Sequence, residues 1–224
     1  SYSAVVAPDS RLGMTAVVAD TDDPEEQLAS TFRMLRVMSY SERQDQSVVT
    51  IEPAEISSHG ECLEPYDQLT LTSSELLEYP DAVESLQAWL QRGGHLWIRL
   101  DRTGVDAVRS ILGDALSLSL IGESTTNSVL LKLNPEYSHV MFPTREVDRT
   151  FDEPVRHLRV VPQGGEAIWT IDDWPAAIHV PVGRGTVVVT TVDSSAFVVP
   201  HEPTRQGDPE FQLIPSADSI SRLL

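Results

Sequence analysis

The sequence is poor in the residues that mark several common chemistries. It holds one cysteine, Cys62, so no internal disulfide can form and a cysteine-based zinc site is excluded. That single thiol leaves the compartment open. No apolar run approaches the roughly 20 residues of a membrane helix, so this segment does not insert into a bilayer. No signal peptide opens it. Gly-x-Ser-x-Gly, the P-loop and the dinucleotide fingerprint are all missing. Gly183-Arg184-Gly185 lacks a third glycine and joins two expected strands, so it reads as a hairpin turn rather than a phosphate cradle. The six histidines stand apart with no His-x-x-x-His pair, and read as surface or singly bonded residues. No metal site, no cofactor and no internal repeat is expected.

What is abundant is acid. There are 34 acidic against 16 basic residues in 224, a formal net charge of −18. Such a field repels nucleic acid phosphates and anionic lipid headgroups, which excludes nucleic acid as a partner. The acids are spread along the chain. They serve either as a solvated surface that resists aggregation or as an attraction for cations or a basic partner. The length suits one large domain, expected over residues 1–224, with a β-rich portion at 115–192. The start at Ser1 and the stop at Leu224 inside a helical pattern read as a segment of something longer.

Met14 to Ala19 is a short β-branched apolar run and predicts a buried strand. After it, Asp23 can cap a helix, Pro24 suits its first position, and Glu25 and Glu26 sit well against the positive helix end. Capping explains this acid cluster more simply than a metal site. Leu28, Phe32 and Leu35 follow at helical spacing. Strands are predicted at Ser47–Ile51 and Asp67–Thr72, with a loop over residues 53–66 between them. A helix runs from Pro80 to Arg92 on a stripe of Val83, Leu86 and Leu90, and Gly93-Gly94 ends it. His95–Leu100 is a further strand. Thr103 can cap the next helix, in which Val105, Val108, Ile111 and Leu112 face inward.

Alternating strands and helices imply βαβ units, so the expected fold is α/β, a flavodoxin-like parallel sheet with helices on both faces. After residue 115 the pattern changes. Strands are predicted at 128–133, 156–161, 167–171, 176–181 and 185–192, forming antiparallel strands at one edge or a small β annex. Residues 143–153 and 201–209 read as polar loops. Open α/β sheets place ligands at the carboxyl ends of their strands. The residues predicted there are Asp20, Thr21, Ser73, Ser74, Asp101, Arg102 and Thr103, joined by Asp193, Ser194 and Ser195. A carboxylate and hydroxyl set of this kind can hold a sugar or a cation. It can equally be helix caps and turn bonds.

Two stretches carry a resemblance. Tyr66-Asp67 through Ser73-Ser74, then Ala82-Val83, Leu86, Trp89-Leu90, Gly93-Gly94 and Leu96-Trp97-Ile98, resemble class I glutamine amidotransferase-like domains. So do Trp174-Pro175, Ile178 and Val182-Gly183-Arg184-Gly185 through Val189. The likeness is to the domains carried by large bacterial membrane and exported proteins. In the catalytic family a cysteine follows the strand matched by His95–Leu100, in a sharp Gly-x-Cys-x-Gly turn at a helix N-terminus that lowers its pKa. Here that stretch is Arg99-Leu100-Asp101-Arg102-Thr103-Gly104, without a thiol. The family's His-x-Glu pair is not matched by the adjacent His201-Glu202. The resemblance therefore implies a non-catalytic binding or interaction module of a larger bacterial protein, serving an unidentified protein or small molecule. The alternative is a hydrolase or lyase on a carbohydrate-like substrate acting through Asp101. The location implied is extracytoplasmic, as the soluble domain of a membrane protein, or else cytoplasmic.

Overall fold

A computed structural model describes residues 14–20, 25–41, 47–58, 60–137, 146–200, 210–214, 220 and 223–224. The first half alternates as the sequence predicts: β1 (Met14–Val18), α1 (Glu25–Ser41), β2 (Ser47–Ile51), α2 (Pro53–Ser58), β3 (Gln68–Leu71), α3 (Pro80–Arg92), β4 (His95–Arg99) and α4 (Leu100–Leu112). The second half is β5 (Ser117–Leu133), β6 (Glu146–Gln163), β7 (Glu166–Ile171), β8 (Trp174–Val182) and β9 (Gly185–Thr190). A short antiparallel pair, β10 (Val198–Pro200) and β11 (Phe211–Leu213), follows.

One nine-stranded sheet has the order β2-β1-β3-β4-β9-β8-β7-β5-β6. The pairings from β2 through β9 are parallel, and those from β9 through β6 are antiparallel. Side chains alternate across the pleat. Ala16, Val18, Leu96 and Ile98 join one core with Ile56 of α2, Leu86 and Leu90 of α3, and Ile111 of α4. Val17, Trp97 and Val188 join a second core with Met34 and Leu35 of α1. Helices thus cover both faces.

The α3 helix shows why the local sequence folds as it does. Pro80 stands in its first turn, where a missing N–H costs nothing. Ala82, Leu86, Trp89 and Leu90 are buried at helical spacing. Gly93 adopts φ 119°, and its N–H bonds to the Leu90 carbonyl at 3.0 Å. A side chain at Gly94 would put its Cβ 2.4 Å from the Trp89 ring. Arg184, in the β8–β9 turn, donates to the Arg92 carbonyl at 2.7 Å and caps the helix from outside.

Three expectations need correction. Residues 53–66 are not simply loop, since α2 and a 3₁₀ turn at Gly60–Leu63 bury Ile56 and Leu63 completely. Elements of four to six residues are too short to show a helical period. Residues 146–153, predicted as loop, form the first half of β6. There Val147, Arg149 and Phe151 are half-buried while Glu146, Asp148 and Thr150 are exposed, a period of two masked by charge. Finally β9 does not belong with the antiparallel strands alone, because it lies parallel to β4 and completes the flavodoxin-like half. The predicted stretch at 201–209 and the caps Asp23 and Pro24 lie outside the described residues.

The antiparallel strands curl back on the parallel ones. The Leu158 N–H bonds to the Thr191 carbonyl at 2.8 Å, and His157 pairs with Val192. The middle of β6 is thereby brought beside the chain leaving β9, opposite the carboxyl end of β4.

Candidate functional site

Arg99 ends β4 and is 1% exposed. Strand alternation puts it on the face of Trp97, toward α1. All five of its N–H groups are used. The Nε–H donates to Asp101 Oδ1 at 3.3 Å. One Nη donates to Asp101 Oδ2 at 2.6 Å and to Asp193 Oδ2 at 2.5 Å. The other donates to Ser30 Oγ at 2.9 Å and Thr31 Oγ1 at 2.6 Å, both on α1. The guanidinium has five donors and no more, so it is saturated. Burial alone would lower its pKa, but Asp101 and Asp193 outweigh burial and the net shift is upward.

Asp193 does further work. Its Oδ1 accepts the Ser195 N–H at 2.8 Å and caps the 3₁₀ turn Ser194–Phe197. Its Oδ2 accepts from the Ser30 hydroxyl at 3.0 Å. Burial pushes its pKa up, yet Arg99 and these donors hold it below the usual carboxylate value. One knot therefore ties β4, α1 and the exit of β9 together.

Beside the knot is a cleft of about 420 Å³ lined by Ser30, Arg99, Asp101, Arg102, Asp193 and Ser195 on one side and by residues 153–156 of β6 on the other. Arg156 donates to the Asp101 carbonyl at 3.4 Å and pairs with Glu123 at 2.7 Å. Of the predicted strand-end residues, Asp101, Arg102, Asp193 and Ser195 do converge here. Thr103 is buried behind them, its hydroxyl donating to the Arg99 carbonyl at 3.1 Å rather than facing the cleft. Ser194 is buried as well. Asp20 and Ser73 form a separate pair, the Ser73 hydroxyl donating to Asp20 and accepting the Glu75 N–H at 3.0 Å. Ser74 is exposed at the start of a 3₁₀ turn and makes no side-chain cap. Thr21 lies outside the described residues. The sequence reading missed Arg99, Ser30, Thr31 and the β6 wall. An arginine closing an otherwise apolar buried strand was the available signal.

A nucleophile elbow holds its reactive residue in a strained turn. Here the turn breaks at Gly104, with φ 77°. Among the described residues, positive φ outside glycine occurs only at Asp172 and Asp173, far from this turn in the chain. Cys62 lies elsewhere, its Sγ 3.7 Å from the Glu55 carbonyl. Burial and the Glu55 charge raise its thiol pKa, the opposite of activation. His95, His157 and His179 each bond to a backbone or side-chain oxygen. Among the described residues no group of three or more potential metal ligands occurs.

No protein-family model matches the sequence, and no curated protein matches it. Solved structures do. The cytoplasmic protein STM3548 from Salmonella typhimurium matches with TM-score 0.60 and 13% identity, over 95% of this chain and 98% of that one. A ThuA-like protein from Bacteroides uniformis matches with TM-score 0.58 and 10% identity, over 88% and 89% of the two chains. The fold is glutamine amidotransferase-like. The β-galactosidase from Bacillus circulans sp. alkalophilus also matches, with TM-score 0.54 and 10% identity, over 81% of this chain but 28% of that enzyme. In this fold the end of β4 is where the resemblance places a cysteine, and the Arg99 knot stands there instead. No helix among the described residues is long and apolar enough to cross a membrane.

Proposed function

We propose that residues 1–224 form a single non-catalytic module of a larger bacterial protein, in which the strand-end cleft binds a ligand or partner and performs no amide hydrolysis. The observation that carries this reading is the saturated Arg99. Amide hydrolysis needs a nucleophile, a base within reach and donors aimed at the developing oxyanion. The chain leaving β4 and the chain leaving β9 each supply one carboxylate, Asp101 and Asp193, both bonded to a guanidinium that has no donor left for an oxyanion. A carbohydrate hydrolase would need a proton donor with a raised pKa. Asp193 is shifted the other way. A module that recurs as under a third of a glycosidase chain fits a supporting role inside a larger protein. The structural neighbour named a cytoplasmic protein favours the cytoplasm among the compartments left open.

The test is turnover by purified protein. Ammonia release from glutamine and nitrophenol release from nitrophenyl glycosides should both be indistinguishable from buffer. Turnover that disappears in a folded Asp101→Asn variant would overturn the proposal.

A further inference from the structure

We infer that the open edge of β5 pairs, antiparallel, with the same edge of a second copy of this chain, giving a two-fold dimer joined by a continuous β6-β5-β5-β6 sheet. β6 pairs with β5 from Ser117 to Lys132, while β7 meets the other side of β5 only over residues 131–133. From Ser119 to Thr126 no described residue bonds to the backbone on the side away from β6. Alternate residues of a strand send their N–H and C=O to opposite sides, so this edge holds a row of donors and acceptors without partners among the described residues. A two-stranded ribbon is marginal in water, and a third strand stabilises it.

The residues along this edge select the occupant. Sheet edges are normally guarded by brevity, charge or proline. The β2 edge is five residues long, and β6 carries Glu146, Asp148, Asp152, Glu153 and Pro154. On β5 from residue 119 to 130 Glu123 alone is charged, and Arg156 of the same copy already pairs with it at 2.7 Å. A bulge at Ile121 interrupts the register with β6, yet it leaves that side chain 57% exposed, beside Leu120 at 51%. Val161, opposite Ser119, is 45% exposed. Three of the four large hydrophobics exposed among the described residues thus gather on this ribbon. A chain at −18 repels its own copy over most of its surface, so copies meet where charge is absent. The same absence gives a basic or acidic partner nothing to recognise. An antiparallel edge is self-complementary about a two-fold axis. With the axis at Ser124, Gly122 faces Thr126 and Glu123 faces Thr125, so no like charges stand opposed.

Dimer formation needs no ligand in the strand-end cleft. The experiment is sedimentation equilibrium of the full chain from about 1 µM to 1 mM, with amide hydrogen exchange measured at both ends of that range. Reversible dimerisation with a Kd of roughly 1–100 µM is expected, since one pair of short strands makes a small interface. Added salt should tighten it by screening the repulsion between two acidic copies, whereas salt loosens a contact built on ion pairs. Amides from Ser119 to Thr126 should exchange more slowly at the high concentration. Thr125 is exposed and lies opposite Arg156 in its own copy, so Thr125→Glu should fold normally. Across the two-fold it sets an acid against the partner's Glu123 at two places, and should weaken the dimer about tenfold. Leu77→Glu, at an exposed site in the 3₁₀ turn Glu75–Glu78, adds the same charge elsewhere and should leave the dimer unchanged. If Thr125→Glu does not fold, the exchange pattern of the natural chain decides. A chain that stays monomeric throughout the range overturns the inference. So does a dimer that salt loosens, that protects amides outside β5 instead, or that Thr125→Glu leaves intact.

Discussion

Replacing Arg99 with methionine isolates the energetics of the knot. Methionine fills much of the same volume but leaves Asp101 and Asp193, with side chains 7% and 27% exposed, facing one another without a cation. Breaking a buried pair by removing one partner costs about 3–5 kcal/mol, because the remaining charge stays desolvated. Ser30 and Thr31 lose their donor too. A domain has roughly 5–15 kcal/mol in hand, so the variant should fold with a much lower urea midpoint.

The pH dependence fixes the cause. In the natural protein Asp193 has a folded pKa below its unfolded value. Its stabilisation is present above the unfolded pKa, near 3.9, and is lost only as pH falls through the lower folded value. Stability from this group is therefore flat between pH 7 and pH 5. In Arg99→Met, Asp193 keeps its burial and loses the cation, so its folded pKa rises above the unfolded value. It then takes up a proton as pH falls, and the deficit at pH 5 should be smaller than at pH 7 by about 1 kcal/mol or more. Urea melts at the two pH values measure this. A loss under about 1 kcal/mol at pH 7, or a deficit that grows at pH 5, refutes the reasoning.

Leu86→Ala should cost roughly 2–5 kcal/mol, since Leu86 is fully buried between α3 and the sheet, and an equilibrium melt will show it. Cys62→Ser should leave ligand binding unchanged, and Cys62 should react with a disulfide reagent at pH 7 more slowly than free cysteine, because its raised pKa depletes the thiolate. Asp173 holds φ 68° in the tight β7–β8 turn, so Asp173→Gly should raise the unfolding free energy measured in urea by up to about 1 kcal/mol, with loss of the exposed Lys132 pair subtracting little.

The parallel half was legible because its signals are local. Five-residue apolar runs, a helical stripe from Ala82 to Leu90 and the Gly93-Gly94 stop each report a neighbour in sequence. The resemblance at 66–98 and 174–192 pointed to the same fold. The knot was legible only in part. Asp101 and Asp193 follow strands and could be predicted at the strand ends, but Arg99, which joins them, reaches Asp193 across 94 residues of sequence. Nothing near Ser30 or Thr31 marks a helix face that meets β4. The β6 wall was hidden for a different reason: its alternation runs between charged and half-buried residues, which composition reads as loop.

The central claim, that the end of β4 holds a saturated structural knot, can be measured directly by nitrogen-15 NMR of the arginine side chains. Five donors in fixed hydrogen bonds hinder guanidinium rotation and slow exchange with water. The account predicts that Arg99 shows separately resolved, exchange-protected Nη protons near neutral pH, and that Asp193→Asn removes the protection. A guanidinium for Arg99 that rotates freely and exchanges as fast as that of the exposed Arg109 would contradict it.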